Sequence, residues 1–169
     1  MDKFCFLHLM QNALKMKYVL LILGIFFLGC RSSGQKNKFP EKIPTDFSLA
    51  YHVDGGMRYY SEDLFISKES CSYVIDDGGR KTTKKFMLSA AEMDAMYDIL
   101  KNNRTDQIKS RTEDNVYDRG GISISMAWDK GRHELQVSDA QLTFVEKKWW
   151  GQWQAICNYL ADLIKRKAK

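Results

Sequence analysis

The sequence has little of what a catalytic, metal-binding or membrane-spanning chain usually carries. Its 169 residues include two prolines and three histidines, and only His52 and His133 lie beyond the apolar N-terminal region. A structural zinc site takes about four ligands and a hydrolytic one about three. His133-Glu134 opens no HExxH motif, and Cys71 and Cys157 have no CxxC partner. No GxSxG elbow and no Walker-type phosphate loop occurs. No residue is therefore expected to be catalytic, and none to hold a cofactor or a metal. A long apolar run is missing too. The uncharged stretch Tyr18–Leu28 has eleven residues, about 16 Å of helix against about 30 Å of hydrocarbon.

An excess of positive charge is also missing, despite a formal +5. Without residues 1–29 the chain holds 23 basic and 20 acidic residues, a net +3. Lys165, Arg166, Lys167 and Lys169 supply four of those positive charges, so residues 30–164 carry −1. Composition thus offers no basic face, and nucleic acid is not an expected partner. The basic tail suits the negative end of a final helix, or an anionic lipid surface.

What is present at the N-terminus is a secretory signal in outline. Lys15 and Lys17 precede the apolar run, and Gly29-Cys30 closes it. Met16 opens a compact version of the same signal. Phe27-Leu28-Gly29-Cys30 resembles the lipobox of bacterial lipoproteins, although Phe27 and Leu28 replace its usual aliphatic and small residues. That resemblance implies an acylated Cys30 as the mature N-terminus and a lipid-anchored protein of the cell envelope. An outer-membrane anchor facing the periplasm or the cell surface is expected. Each buried methylene contributes about 0.8 kcal/mol, so two or more acyl chains hold firmly where one holds marginally. Secretion without lipid, or a helix buried in the domain, is the alternative.

The expected organisation is a signal peptide over 1–29, a flexible tether over 30–45 and a single domain over 46–169. The tether is polar and aperiodic, with Gly34, Pro40 and Pro44. Within the domain, Cys71 and Cys157 remain, in a compartment where disulfides persist. They form either a bridge, constraining the unfolded chain by about 4 kcal/mol, or two separate buried thiols.

The hydrophobic pattern predicts hairpins followed by helices. Phe47–Val53 alternates as a half-buried strand with its odd positions apolar, which leaves His52 on the polar side. Asp54-Gly55-Gly56 and Asp76-Asp77-Gly78-Gly79 are tight turns. Strands are expected over Met57–Ile66, around Cys71, Tyr73 and Ile75, and over Arg80–Met87. Ser89 and Glu92 form a capping box, with Met93, Met96, Tyr97 and Leu100 on one helical face ending at Asn102-Asn103. Ile108–Tyr117 is ambiguous. Ile122, Ile124 and Met126 then point one way and Ser123, Ser125 and Ala127 the other, with Leu135 and Val137 on a partner strand after an Asp129-Lys130-Gly131 turn. Residues 138–148 suit either a capping box at Thr143 and Glu146 or a short strand. The last helix, about Trp149 to Arg166, carries Trp153, Ile156, Leu160 and Leu163 on one stripe.

This order implies an α+β fold, an antiparallel sheet built from hairpins with two helices packed on one face. The run of hairpins, the LSxxE helix start, the DRGG turn and the Trp-rich last helix are similar to uncharacterised small lipoproteins of Bacteroidota. No site residue is carried over by that similarity. From the residues themselves, Arg119 in Asp118-Arg119-Gly120-Gly121 is a candidate contact for a carboxylate or phosphate, or half of a local Asp–Arg pair. Trp150, about 100° away from the Trp149/Trp153 face, is a candidate partner contact, or a cover for a neighbouring strand. The function these features favour is a noncatalytic envelope binding or scaffolding protein with a protein or glycan partner. A small periplasmic hydrolase-like enzyme and an inhibitor or immunity-type lipoprotein are the alternatives.

Overall fold

The computed structural model describes residues 39–57, 59–114 and 118–168. The signal segment, Cys30 and the first part of the tether lie outside the described residues. Four strands open the domain as a meander: β1 (Ser48–Asp54), β2 (Tyr60–Ser67), β3 (Cys71–Asp77) and β4 (Arg80–Phe86). Helix α1 (Ala90–Asn102) follows, then β5 (Ser110–Thr112), β6 (Gly121–Trp128), β7 (His133–Asp139), β8 (Thr143–Val145) and helix α2 (Trp150–Lys167). Six strands form one antiparallel sheet in the order β4-β3-β2-β1-β6-β7, and β5 pairs with β8 in a second small sheet. The fold is α+β, as the pattern implies.

Period-two alternation decides which side of the sheet is covered. Leu49 and Tyr51 of β1, Leu64 and Ile66 of β2, Tyr73 of β3, and Ile124 and Met126 of β6 are all buried. They meet Met96 and Leu100 of α1 and Ile156, Leu160 and Leu163 of α2 in a single core. The 3.6-residue period of each helix supplies one apolar stripe, and one stripe requires one sheet face. β1 is the axis. Each of its residues from Ser48 to Asp54 pairs with β2 on one side and β6 on the other.

Local chemistry fixes the ends. Ser89 Oγ accepts from the Glu92 N–H at 3.3 Å, and Glu92 Oε2 accepts from the Ser89 N–H at 2.9 Å, completing the capping box. Lys167, in the last turn of α2, reaches Glu92 Oε1 at 2.8 Å. The Lys167 ammonium first, and then the Ser89 backbone, hold the Glu92 carboxyl down at about 2. At the β3–β4 turn Gly78 and Gly79 take φ of 62° and 87°, so that Asp77 pairs directly with Arg80. Asp76 is buried there and accepts from the Gly79 N–H at 2.9 Å.

Several expectations change against the structure. The tether does not run to residue 45. Phe39 is 5% exposed, stacks on Trp128 with ring centroids 5.7 Å apart, and meets Tyr97 edge-on. The Tyr97 hydroxyl donates to the Pro40 carbonyl at 2.9 Å, and Lys101 reaches the Glu41 carbonyl. The aperiodic, proline-containing sequence hid this because a single aromatic anchor has no period. Helix α1 ends at Asn102-Asn103 as the pattern implies, but the left-handed conformation, which Asn tolerates well, falls on the next residue. The Asn103 side chain donates to the Ile99 carbonyl at 2.8 Å, and Arg104 takes φ of 50°. In the ambiguous segment the strand is only Ser110–Thr112, and residues 115–117 lie outside the described residues. Residues 143–145 form a strand because β5 offers them a ladder, and Glu146 pairs with Lys148 rather than capping a helix.

Phe39→Ala should lower unfolding free energy by about 3 kcal/mol in urea titrations. A loss under about 0.5 kcal/mol would return residues 39–45 to the tether.

Candidate functional site

The side of the sheet opposite the helices is built from the even positions of β1 and their cross-strand partners. Pairing register places Asp63, His52, Ser123 and Ser138 in one row across β2, β1, β6 and β7. The next row is Phe65, Ala50, Ser125 and Gln136. Most of these side chains are short, so the backbone surface is only thinly covered. At the far edge, β4 carries Lys81 and Lys85 on the same side, the long cations that commonly guard an exposed edge.

A groove of about 560 Å³ lies over the first row. His52, Ser123, Gln136 and Ser138 form its floor, and Ser110, Gln141 and Thr143 from the small sheet and its approach form a wall. The wall stands beside β7 because the Ser110 hydroxyl donates to the Ser138 carbonyl at 2.7 Å. Asp54 closes one end. Its carboxylate accepts from the Gly56 N–H at 2.9 Å and from Gln141 Nε2 at 3.4 Å. A second depression of about 250 Å³ adjoins the groove and shares Gln136 with it. Phe65, 41% exposed, lies at its side with Ala50 and Ala127.

His52 is the one imidazole in this surface. Its Nδ1 lies 2.7 Å from Asp63 Oδ1, with both side chains about half exposed. A carboxylate only accepts, so Nδ1 carries the proton given to Asp63, and in the neutral ring Nε2 is an acceptor. Ser123 follows His52 in the row, but no hydrogen bond joins their side chains among the described residues. His133 is elsewhere, stacked on Trp128 at 5.5 Å and 3.9 Å from Asp129. Among the described residues no group of His, Cys, Asp and Glu is arranged to hold a metal.

Arg119 and Trp150 do not line the groove. The Arg119 guanidinium lies 2.9 Å from Asp139 Oδ1, donates to the Thr143 carbonyl at 3.0 Å and covers the Phe144 ring at 4.1 Å. Its ion-pair partner is Asp139 rather than the neighbouring Asp118. The Asp139 carboxylate also accepts from the Val145 N–H, so this contact fastens β8 to β7. The two glycines of the DRGG turn permit close approach. A Cβ at Gly120 would meet the Asp54 carbonyl at 2.3 Å, and one at Gly121 the Asp139 carbonyl at 2.1 Å. Trp150 is 42% exposed at the first turn of α2, in the helical layer. Trp153 is in the core, while Trp149 is half-buried with its indole N–H unpartnered among the described residues.

A polar group under the sheet was not anticipated from the sequence. The hydroxyls of Tyr60 and Tyr73 both donate to Glu62 on the helix-facing side. Burial first, and then Glu62, push the Tyr73 hydroxyl up well beyond the ordinary tyrosine range. Cys71 and Cys157 are separate buried thiols, so the bridge is not formed. Cys71 opens β3 with its sulfur 3.8 Å from the Ser67 carbonyl, whereas Cys157 is on α2. Burial, and then the charge of Asp139, push the Cys157 thiol up to about 12, and burial raises Cys71 as well.

No protein-family model matches the chain, and a search of curated proteins finds no match.

Disulfide-exchange reagents need a thiolate. At pH 8 the folded protein should therefore leave Cys71 and Cys157 unmodified, and both should react in urea without prior reduction. Peptide mapping reads this directly; a recovered 71–157 cross-linked peptide would contradict it.

Proposed function

We propose that this protein is a noncatalytic binding module of the bacterial envelope, anchored through acylated Cys30, that holds its ligand on the open face of the sheet. The observation that carries the reading is the shortness of that face. Ser123, Ser125, Ser138 and Ala50 stand where a face meeting only water is usually covered by long charged side chains, as β4 is. The result is a concave polar surface of the size of a small-ligand site. The hydroxyls of Ser123 and Ser125 and the amide of Gln136 have no internal hydrogen-bond partner among the described residues, which leaves them available.

The polarity of β1 supports the same reading. Phe39 and the Asp46–Lys130 contact lie at the Ser48 end of β1, and Asp54 of the groove lies at the other end, about 20 Å along a strand of this length. The groove thus lies at the end of β1 opposite Phe39, where the described residues begin. The exposed apolar side chains Met57, Tyr59 and Leu142 lie in the connections at the same end of the sheet.

A hydrolytic role is the second reading, favoured by the Asp63–His52 pair and by Ser123 in the same row. The missing Ser123–His52 hydrogen bond leaves the hydroxyl without its base. Chromogenic ester turnover that Ser123→Ala abolishes would establish this role in place of binding.

Wild-type protein should incorporate labelled palmitate and sediment with membranes, and Cys30→Ala should do neither. Ser123→Trp, which fills the groove on an exposed face, should change stability by under about 0.5 kcal/mol. The same change should sharply reduce retention of envelope components by the detergent-extracted, immobilised full chain. Unchanged retention with the groove filled would overturn the choice of face.

A further inference from the structure

We infer that the ligand of the open face is a neutral saccharide, with His52 Nε2 as an obligatory hydrogen-bond acceptor and Phe65 as the stacking surface. The inference deepens the binding reading above and rests on it. It follows from what lines the two joined depressions and from what does not.

Charge comes first. No lysine or arginine lines either depression, while Asp54 and Glu134 do. An anionic ligand would therefore enter against two carboxylates and find no cation to pair with. A purely apolar ligand is disfavoured as well, since it would strip water from hydroxyls, amides and a carboxylate in the groove without replacing those hydrogen bonds. A neutral, donor-rich ligand satisfies both conditions.

The donor and acceptor pattern narrows this further. With Nδ1–H of the neutral imidazole given to Asp63, Nε2 is left to accept. Asp54 also accepts, and the serines and glutamines can do either. Such a surface answers a polyhydroxylated ring, whose O–H groups donate in several directions at once. The adjoining depression supplies the complement. Phe65, Ala50 and Ala127 offer an apolar patch against which the C–H face of a sugar ring can lie. Gln136, shared by both, marks the path from one ring to the next.

Asp63 is a positioning residue in this scheme, because it lines neither depression and acts through the imidazole. Asp63→Asn can hold the ring with either nitrogen protonated, and so removes the bias without removing the side chain.

The test is amide chemical-shift mapping of the full chain in detergent with chitotriose, maltotriose and mannotriose. Trigalacturonate and a neutral tetrapeptide serve as the competing ligand classes. At least one neutral trisaccharide should shift the amides of Ser123, Gln136 and Ser138 in a saturable way. His52→Phe should weaken that binding by about tenfold, the effect of one hydroxyl left unpaired on binding. His52→Gln, which keeps an acceptor, should restore most of it, Asp63→Asn should fall between the two, and Phe65→Ala should weaken binding with an unaltered backbone spectrum. If no neutral saccharide shifts these amides, or if trigalacturonate or the peptide does so instead, the saccharide assignment is overturned. Loss of envelope retention in Ser123→Trp would then still support the binding face, whereas failure of both experiments would remove the binding reading as well.

Discussion

The architecture depends on the two-sided pairing of β1. Every residue from Ser48 to Asp54 has a partner on β2 and another on β6, and a strand held on both edges cannot slip without turning its buried set outward. Leu49 and Tyr51 are committed to the helices, so Ala50 and His52 are committed to the opposite side. The same register brings Asp63 to one side of His52 and Ser123 to the other. Core and candidate site are thus two consequences of one alternation, and a change that shifted the register would lose both.

Much of the fold was legible because its signals are local. The capping box at Ser89 and Glu92, the Asp-Gly turns, and the stripe through Trp153, Ile156, Leu160 and Leu163 each lie within a few residues. Their physics acts over the same range. The contacts that were not legible join distant parts of the chain. Phe39 finds Trp128 and Tyr97, Arg119 finds Asp139, and Lys167 finds Glu92. Nothing in the composition near residue 39 announces an anchor, and an arginine beside an aspartate suggests the nearer partner first.

The site divides in the same way. That His52 faces away from the core, and that Ser123, Ser125 and Ala127 oppose Ile122, Ile124 and Met126, can be read from alternation alone. That these residues share one surface needs the strand order, which places β6 beside β1 across three intervening strands, a helix and β5. Arg119 and Trp150 drew attention as conspicuous residue types, yet the first is engaged in fastening β8 to β7 and the second belongs to the helical layer. The groove is made instead of inconspicuous serines, whose meaning is the space they leave.

The most direct test of the binding face is a photocrosslinking scan in intact cells. A benzophenone side chain would be placed at Ala50, Ser123 and Gln136 on the open face, and at Ala95, Gln154 and Asn158 on exposed positions of the helices. The account predicts specific adducts from the open-face positions and none from the helices. Adducts confined to the helical positions would contradict it.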